Sequence, residues 1–222
     1  MLSVRASQRG LNLIEVMISL VVLSVLIGLG APGFVEWLQN QQIRAAAEAT
    51  LNGLQVARGE AVRRNTPVRF QLVSDLTSSC VLSSDAMDTP VSVSWVVSLA
   101  DPTGACDATT DSGQTPSPPG RILQRRTSAE GSPNALATSV FVPSPPTAPT
   151  PQAASTVTFA ALGNVVANAD GTKSIVKIDV TNPKVSPSAM RALRIIINSG
   201  GSTRMCDPAL AHPEPRGCPA FP

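Results

Sequence analysis

Hydrophobic and polar positions fall into three regimes along the chain. From Val16 to Val35, twenty residues pass without a charged side chain. As a helix rising about 1.5 Å per residue, the run spans about 30 Å, the thickness of a bilayer's hydrocarbon core. After it the apolar residues narrow to one stripe: Ile43, Ala47, Leu51, Leu54, Ala57 and Ala61 recur every three or four positions, with Glu36, Arg44, Glu48, Arg58 and Arg63 elsewhere. The spacing predicts a helix to about Arg64, stopped at Asn65-Thr66-Pro67 because proline disfavours helical backbone in the residue before it. Gly53 and Gly59 weaken that helix. Beyond Pro67 the period drops to two. Val68, Phe70 and Leu72 alternate with polar neighbours, as do Val91, Val93, Trp95, Val97 and Leu99, then Val157 and Phe159. Val176, Ile178 and Val180 follow, and then Leu193, Ile195 and Ile197. Such alternation predicts an antiparallel sheet with one face on the amphipathic half of the helix, an α+β fold. The Pro, Ser and Thr clusters at 111–120 and 143–155 read as exposed loops.

The ends of the apolar run carry more than a membrane anchor requires. Arg5 and Arg9 precede it, which keeps the N-terminus cytoplasmic and sends the remainder outward. A secretory signal cut after Ala31 would leave Pro32 just past the cut, where proline blocks the peptidase. A plain anchor leaves Glu15 unexplained, since a carboxylate at the rim of an apolar helix is costly and needs a partner. Pro32 inside the helical pattern removes a backbone hydrogen bond and loosens the preceding turn.

Arg9-Gly10-Leu11-Asn12-Leu13-Ile14-Glu15 followed by an apolar run resembles the class III signal of type IV pilins and type II secretion pseudopilins. The resemblance implies a leader of residues 1–10, cut after Gly10 by a prepilin peptidase that then N-methylates Leu11. It makes Glu15 the fifth mature residue and places Pro32 where the family carries a proline. Leu11 and Asn12 depart from the usual Phe-Thr. The implied partners are other pilins or pseudopilins, met through the helix of residues 11–64, whose segment of about 14–35 lies in the inner membrane before assembly. A carboxylate buried without a countercharge is expensive, so the new amino group of one subunit's Leu11 would neutralise Glu15 of a neighbour.

The C-terminal part is similar to the GspH/FimT family of minor pilins and pseudopilins. The likeness rests on Val157-Thr158-Phe159 with Gly163, on Leu193–Ile197, on Ser199-Gly200-Gly201, and on Arg204-Met205-Cys206-Asp207-Pro208. It implies a pilin-like fold: a long N-terminal helix packed on an antiparallel β-rich periplasmic domain of residues 65–222. Ser199-Gly200-Gly201 reads as a tight hairpin turn. Residues 75–155 contribute nothing specific. The expected role is a structural subunit, a minor pilin of a type IV pilus, with a type II secretion pseudopilin as the alternative.

Cysteines and charge refine this picture. Cys80, Cys106, Cys206 and Cys218 in an exported chain suggest two disulfides, with three pairings open. Cys80–Cys106 and Cys206–Cys218 is favoured, because each closes a short local loop. Residues 75–111 hold six acids and no base, whereas 112–222 hold ten bases and five acids. Opposite flanks of this kind suit side-by-side neighbours, and equally suit plain solvated loops.

Some FimT-like members bind DNA through a Gly-Arg-x-Arg run; here Gly201-Ser202-Thr203-Arg204 lacks the first arginine. Arg191, Arg194, Arg204 and Arg216 could still contact phosphates without base readout. Four solvated arginines balancing the acidic flank is the simpler reading, and DNA stays a minority partner. Enzymatic chemistry has little to stand on. His212 is the single histidine, aromatics make 3% of the chain with no Tyr, and Gly171-Thr172-Lys173-Ser174 lacks the upstream glycine of a phosphate loop. No cofactor, metal site or catalytic residue is expected.

Overall fold

The computed structural model describes residues 12–82, 91–141, 152–210 and 213–219, and for residues 29–32 the backbone alone. Gly10, Leu11, Asp85, Asp88 and His212 lie outside the described residues. Helix α1 (Leu13–Arg64) is followed by β1 (Val68–Leu72), β2 (Val91–Ser92), β3 (Trp95–Ser98), β4 (Ile122–Arg126) and β5 (Leu136–Phe141). Then come β6 (Gln152–Ala153), β7 (Thr156–Phe159), β8 (Val165–Val166), β9 (Lys177–Thr181), β10 (Leu193–Ile197) and β11 (Thr203–Cys206). The chain divides into two compact units, Met1–Leu38 and Gln39–Pro222, and α1 runs through both.

In the first unit the apolar side chains of α1 face outward. Leu13, Val21, Ile27 and Phe34 are each more than half exposed. No single helix among the described residues is long and apolar enough to cross a membrane. Leu13–Gly28 and Gly33–Arg64 meet the length and composition together.

In the second unit α1 supplies one wall of the core. Ile43, Ala47, Leu54, Ala57 and Ala61 are fully buried, and Leu51 packs at the margin. The helix ends where Asn65 turns to a φ of +50° ahead of Pro67. Gly53 has a packing reason: a Cβ there would lie 2.9 Å from the rings of Phe70 and Trp95. The missing side chain lets the helix sit directly on β1 and β3.

The strands make two antiparallel sheets rather than the single one expected. The first runs β4-β3-β1-β7-β8; the second runs β11-β10-β9-β5-β2, with β6 paired to β5. Phe70, Trp95 and Phe159 of the first sheet meet Ile178, Val180, Ile195 and Ile197 of the second in one core with α1. Two expectations change here. Residues 91–99 are not one strand, because the chain leaves the second sheet at Ser92 and joins the first at Trp95. Residues 152–155 are not an exposed loop: Gln152 and Ala153 pair with β5, while Ala154 and Ser155 are buried.

The outer face of the first sheet is covered as well, which is why all four residues of β3 are buried. Val73, Val96 and Ile122 pack there with Cys80 and Cys106. The cover comes from the acidic stretch after β1, joined by a Cys80–Cys106 disulfide and held by Arg125, whose Nη1 donates to the Cys106 and Ala108 carbonyls at 2.5 and 2.9 Å. Further along that face, buried Gln71, Ser98, Thr158 and Asn168 form a polar layer. Ser98 Oγ donates to Gln71 Oε1 at 2.9 Å and Thr158 Oγ1 to Asn168 Oδ1 at 2.8 Å.

Candidate functional site

Glu15 lies in the first turn of α1, exposed, and its own carbonyl accepts a hydrogen bond from Ser19 Oγ at 2.7 Å. Among the described residues its carboxylate has no partner within the chain. A negative group suits a helix N-terminus, yet it stands at the head of an apolar surface with no countercharge of its own. Chemically, this arrangement can capture a cation presented by a second molecule as the apolar stripe is covered.

Where α1 enters the second unit, a run of amides replaces the apolar residues. Asn182 Nδ2 donates to Gln39 Oε1 at 2.8 Å, Asn134 N–H to Gln42 Oε1 at 3.2 Å, and Asn40 Nδ2 to the Ala189 carbonyl at 3.1 Å. Arg191 N–H donates to Asn40 Oδ1 at 2.9 Å. These bonds fasten the helix to the loops after β4, β9 and before β10. The sequence reading missed them; the signal for it was the run Gln39-Asn40-Gln41-Gln42 at the boundary between the apolar run and the stripe.

Two of the four arginines, Arg194 and Arg204, have partners within the chain. Arg194 is bound edge-on to Asp179, directly opposite it on β9, with Nε–Oδ1 at 2.6 Å and Nη2–Oδ2 at 3.1 Å. Lys177 adds a second cation 3.3 Å from the same carboxylate. Arg204, exposed on β11, donates through Nη2 to the Pro215 carbonyl at 2.9 Å and toward that of Gly217 at 3.5 Å. Arg191 precedes β10, and Arg216 sits in the tail, exposed. A Cys206–Cys218 disulfide and the Asp207 N–H to Arg216 carbonyl bond of 2.8 Å fix that tail beside β11. Arg194 and Arg204 are thus engaged in holding the fold.

The turn between β10 and β11 forms around Asn198, whose N–H donates to the Ser202 carbonyl at 3.0 Å, with Gly201 at a φ of +78°. It meets the turn after β7, where the Ser199 carbonyl accepts from Val165 N–H at 2.9 Å. Arg58 of α1 reaches the same place and donates to the Gly163 carbonyl at 2.9 Å. Gly163 and the Ser-Gly-Gly run, both singled out in the sequence, therefore meet the helix at one point.

No curated protein and no solved structure matches the chain. A family model does. It begins in the buried stripe of α1, continues through residues 75–155, where the sequence had offered no specific motif, and stops at the Gly201 turn. The likeness at residues 9–35 and 204–208 lies outside it. That family is the type II transport protein GspH family, matched over residues 46–201, more than two thirds of the chain, and this chain belongs to it.

Proposed function

We propose that this protein is a minor pilin of a type IV pilus. In this reading the prepilin peptidase removes residues 1–10, cuts between Gly10 and Leu11, and N-methylates Leu11. The subunit then waits in the inner membrane with its N-terminus cytoplasmic and residues 65–222 in the periplasm. The helix of residues 11–64 carries it into the filament, where it helps prime assembly at the tip. The observation that supports this most is the outward-facing apolar surface of α1, headed by a carboxylate without a partner among the described residues. Lipid can cover such a surface, but a charge of opposite sign must come from a neighbour.

A second reading, a pseudopilin of a type II secretion system, is favoured by the description of the matching family. The Cys206-Asp207-Pro208 tail with its late Cys218 favours the pilus. Glu15→Ala tests the shared part: membrane levels should stay normal, because the apolar run alone suffices for insertion, while incorporation into sheared filaments falls. Equal incorporation would show that the charge pairing is not needed. Deleting the gene separates the two readings. Loss of pili with secretion intact supports the first, and the reverse installs the second.

A further inference from the structure

The chain has two tryptophans and no tyrosine, and the two indoles stand in opposite surroundings. Trp95 is 1% exposed in the core, against Phe70. Trp37 is 54% exposed near the end of the first unit, stacked on Phe34 with ring centroids 5.8 Å apart and planes at 26°. Phe34 is 59% exposed as well, so the stacking hides neither ring. A separation of three residues puts both on one side of α1. Two adjoining open rings continue the outward-facing apolar surface of the helix rather than standing as isolated exposed residues.

Their place along the chain says what covers them. The uncharged run closes at Val35, Glu36 follows, and the polar run Gln39–Gln42 comes next. Trp37 therefore stands where the chain passes from apolar to polar. An indole is an apolar body with one N–H donor: water leaves the ring uncovered, and hydrocarbon leaves the donor unmatched. The headgroup level of a bilayer meets both demands, which is why tryptophan collects there. Phe34, with no donor, comes one turn earlier, on the hydrocarbon side. A neighbouring helix would cover the rings, but its carbonyls are already bonded within it and offer the indole no acceptor. Lipid phosphate and ester oxygens do. The length agrees. Along its axis α1 rises about 33 Å from Glu15 to Trp37, against a hydrocarbon core of about 30 Å. With the indole at one rim, the Glu15 carboxylate stands at the other.

We propose that Trp37 and Phe34 form a lipid-contact site, with the Trp37 ring among the headgroups of the periplasmic leaflet and Phe34 against the uppermost acyl carbons. The proposal rests on the reading above that the apolar run lies in the inner membrane before assembly, and adds the residue at which the span meets water. The indole N–H bonds headgroup oxygens while both rings lie on lipid. Such a pair opposes sliding of the helix in either direction. Moving inward leaves the N–H unmatched in hydrocarbon, and moving outward exposes both rings to water.

Fluorescence of the complete chain in vesicles of phosphatidylethanolamine and phosphatidylglycerol tests this, because Trp37 and Trp95 are its only indoles. Trp37→Phe leaves the core untouched and keeps Trp95 as the sole emitter, so the difference from wild type is the Trp37 signal. Bromine attached to the acyl chains close to the headgroups should quench that signal, and bromine at the chain ends should leave most of it. The Trp37→Phe protein should respond to neither. A Trp37 signal untouched by both bromines, in protein that carbonate does not extract from the vesicles, overturns the proposal and leaves the membrane span standing. Quenching strongest at the chain ends also overturns it, by placing the ring in hydrocarbon. A signal that follows the protein-to-lipid ratio but neither bromine overturns it in favour of a second copy. Protein that carbonate strips from the vesicles overturns the membrane reading and this proposal with it.

Discussion

Gly201 lies against the carbonyl of Gly163 so closely that a Cβ built on it would stand 1.8 Å from that oxygen. The same oxygen accepts the 2.9 Å hydrogen bond from Arg58 Nε. One carbonyl therefore joins the last third of α1, the turn after β7 and the β10–β11 turn. Gly201→Ala must push the oxygen away, break the arginine bond and hold alanine at a φ of +78°. It should cost about 2–5 kcal/mol, the combined scale of backbone strain and overpacking. Chemical denaturation of the full chain in detergent reads this directly. A variant within experimental error of wild type would mean the three elements do not meet as described.

The two disulfides should differ in weight. Each closes a loop, of 26 and 12 residues in sequence separation, and chain entropy alone assigns about 3 kcal/mol to either. Cys80 and Cys106 are also buried with Val96 and Ile122 as the cover of the first sheet, whereas Cys218 is partly exposed in the tail. Replacing Cys80 and Cys106 by serine should therefore lower stability more than replacing Cys206 and Cys218. The second pair should lower the denaturation midpoint less and chiefly release the tail, seen as faster proteolysis after Cys206. The opposite order would place the weight of the fold in the tail.

Asp111 gives stability an acid-side dependence. Its carboxyl is held below the usual carboxylate range by the Gly113 N–H and by the Arg121 guanidinium, 2.8 Å from Oδ2. Because the folded form releases its proton more readily than the unfolded chain, the contribution is present above the unfolded value, near pH 4, and disappears as pH falls through the folded one. Glu60, Asp75 and Asp170 are shifted the same way, so wild type should weaken generally in acid. The gap between wild type and Asp111→Asn isolates one site. It should be open at about pH 7 and close on acidification below about pH 4. A gap that stays constant with pH would show that the charge is not what Asp111 supplies.

How far the fold was legible depended on which physical signal each element carried. The buried stripe of α1 and its stop at Asn65-Thr66-Pro67 came from periodicity and proline chemistry, which are local. β9 announced itself because only one of its faces is buried, and β1 and β7 because their covered outer face carries polar Gln71, Thr156 and Thr158 while Val68, Phe70, Val157 and Phe159 fill the core. β3 hid its place because the disulfide-bearing stretch covers its second face, so Val91–Leu99 looked like one strand while the chain was changing sheets. β4 and β5 were missed: Gln124, Arg125 and Arg126 carry no apolar alternation, and Ala137, Thr138 and Ser139 are small enough to suit a loop. In the candidate site, Glu15 stood out because a lone charge in an apolar run is costly. The ties of Arg194 to Asp179 and of Arg204 to Pro215 depend on register and on the tail's path, which no spacing in the sequence reports.

Processing at Gly10 decides whether this chain is a filament subunit at all. The protein should be recovered from the membrane and from sheared surface filaments, and its intact mass and N-terminal peptide determined by mass spectrometry. A mature chain that begins with N-methylated Leu11, together with full-length protein accumulating in a Gly10→Val strain, is the predicted result. A mature chain that begins near residue 32, or wild type that keeps residues 1–10, would contradict it.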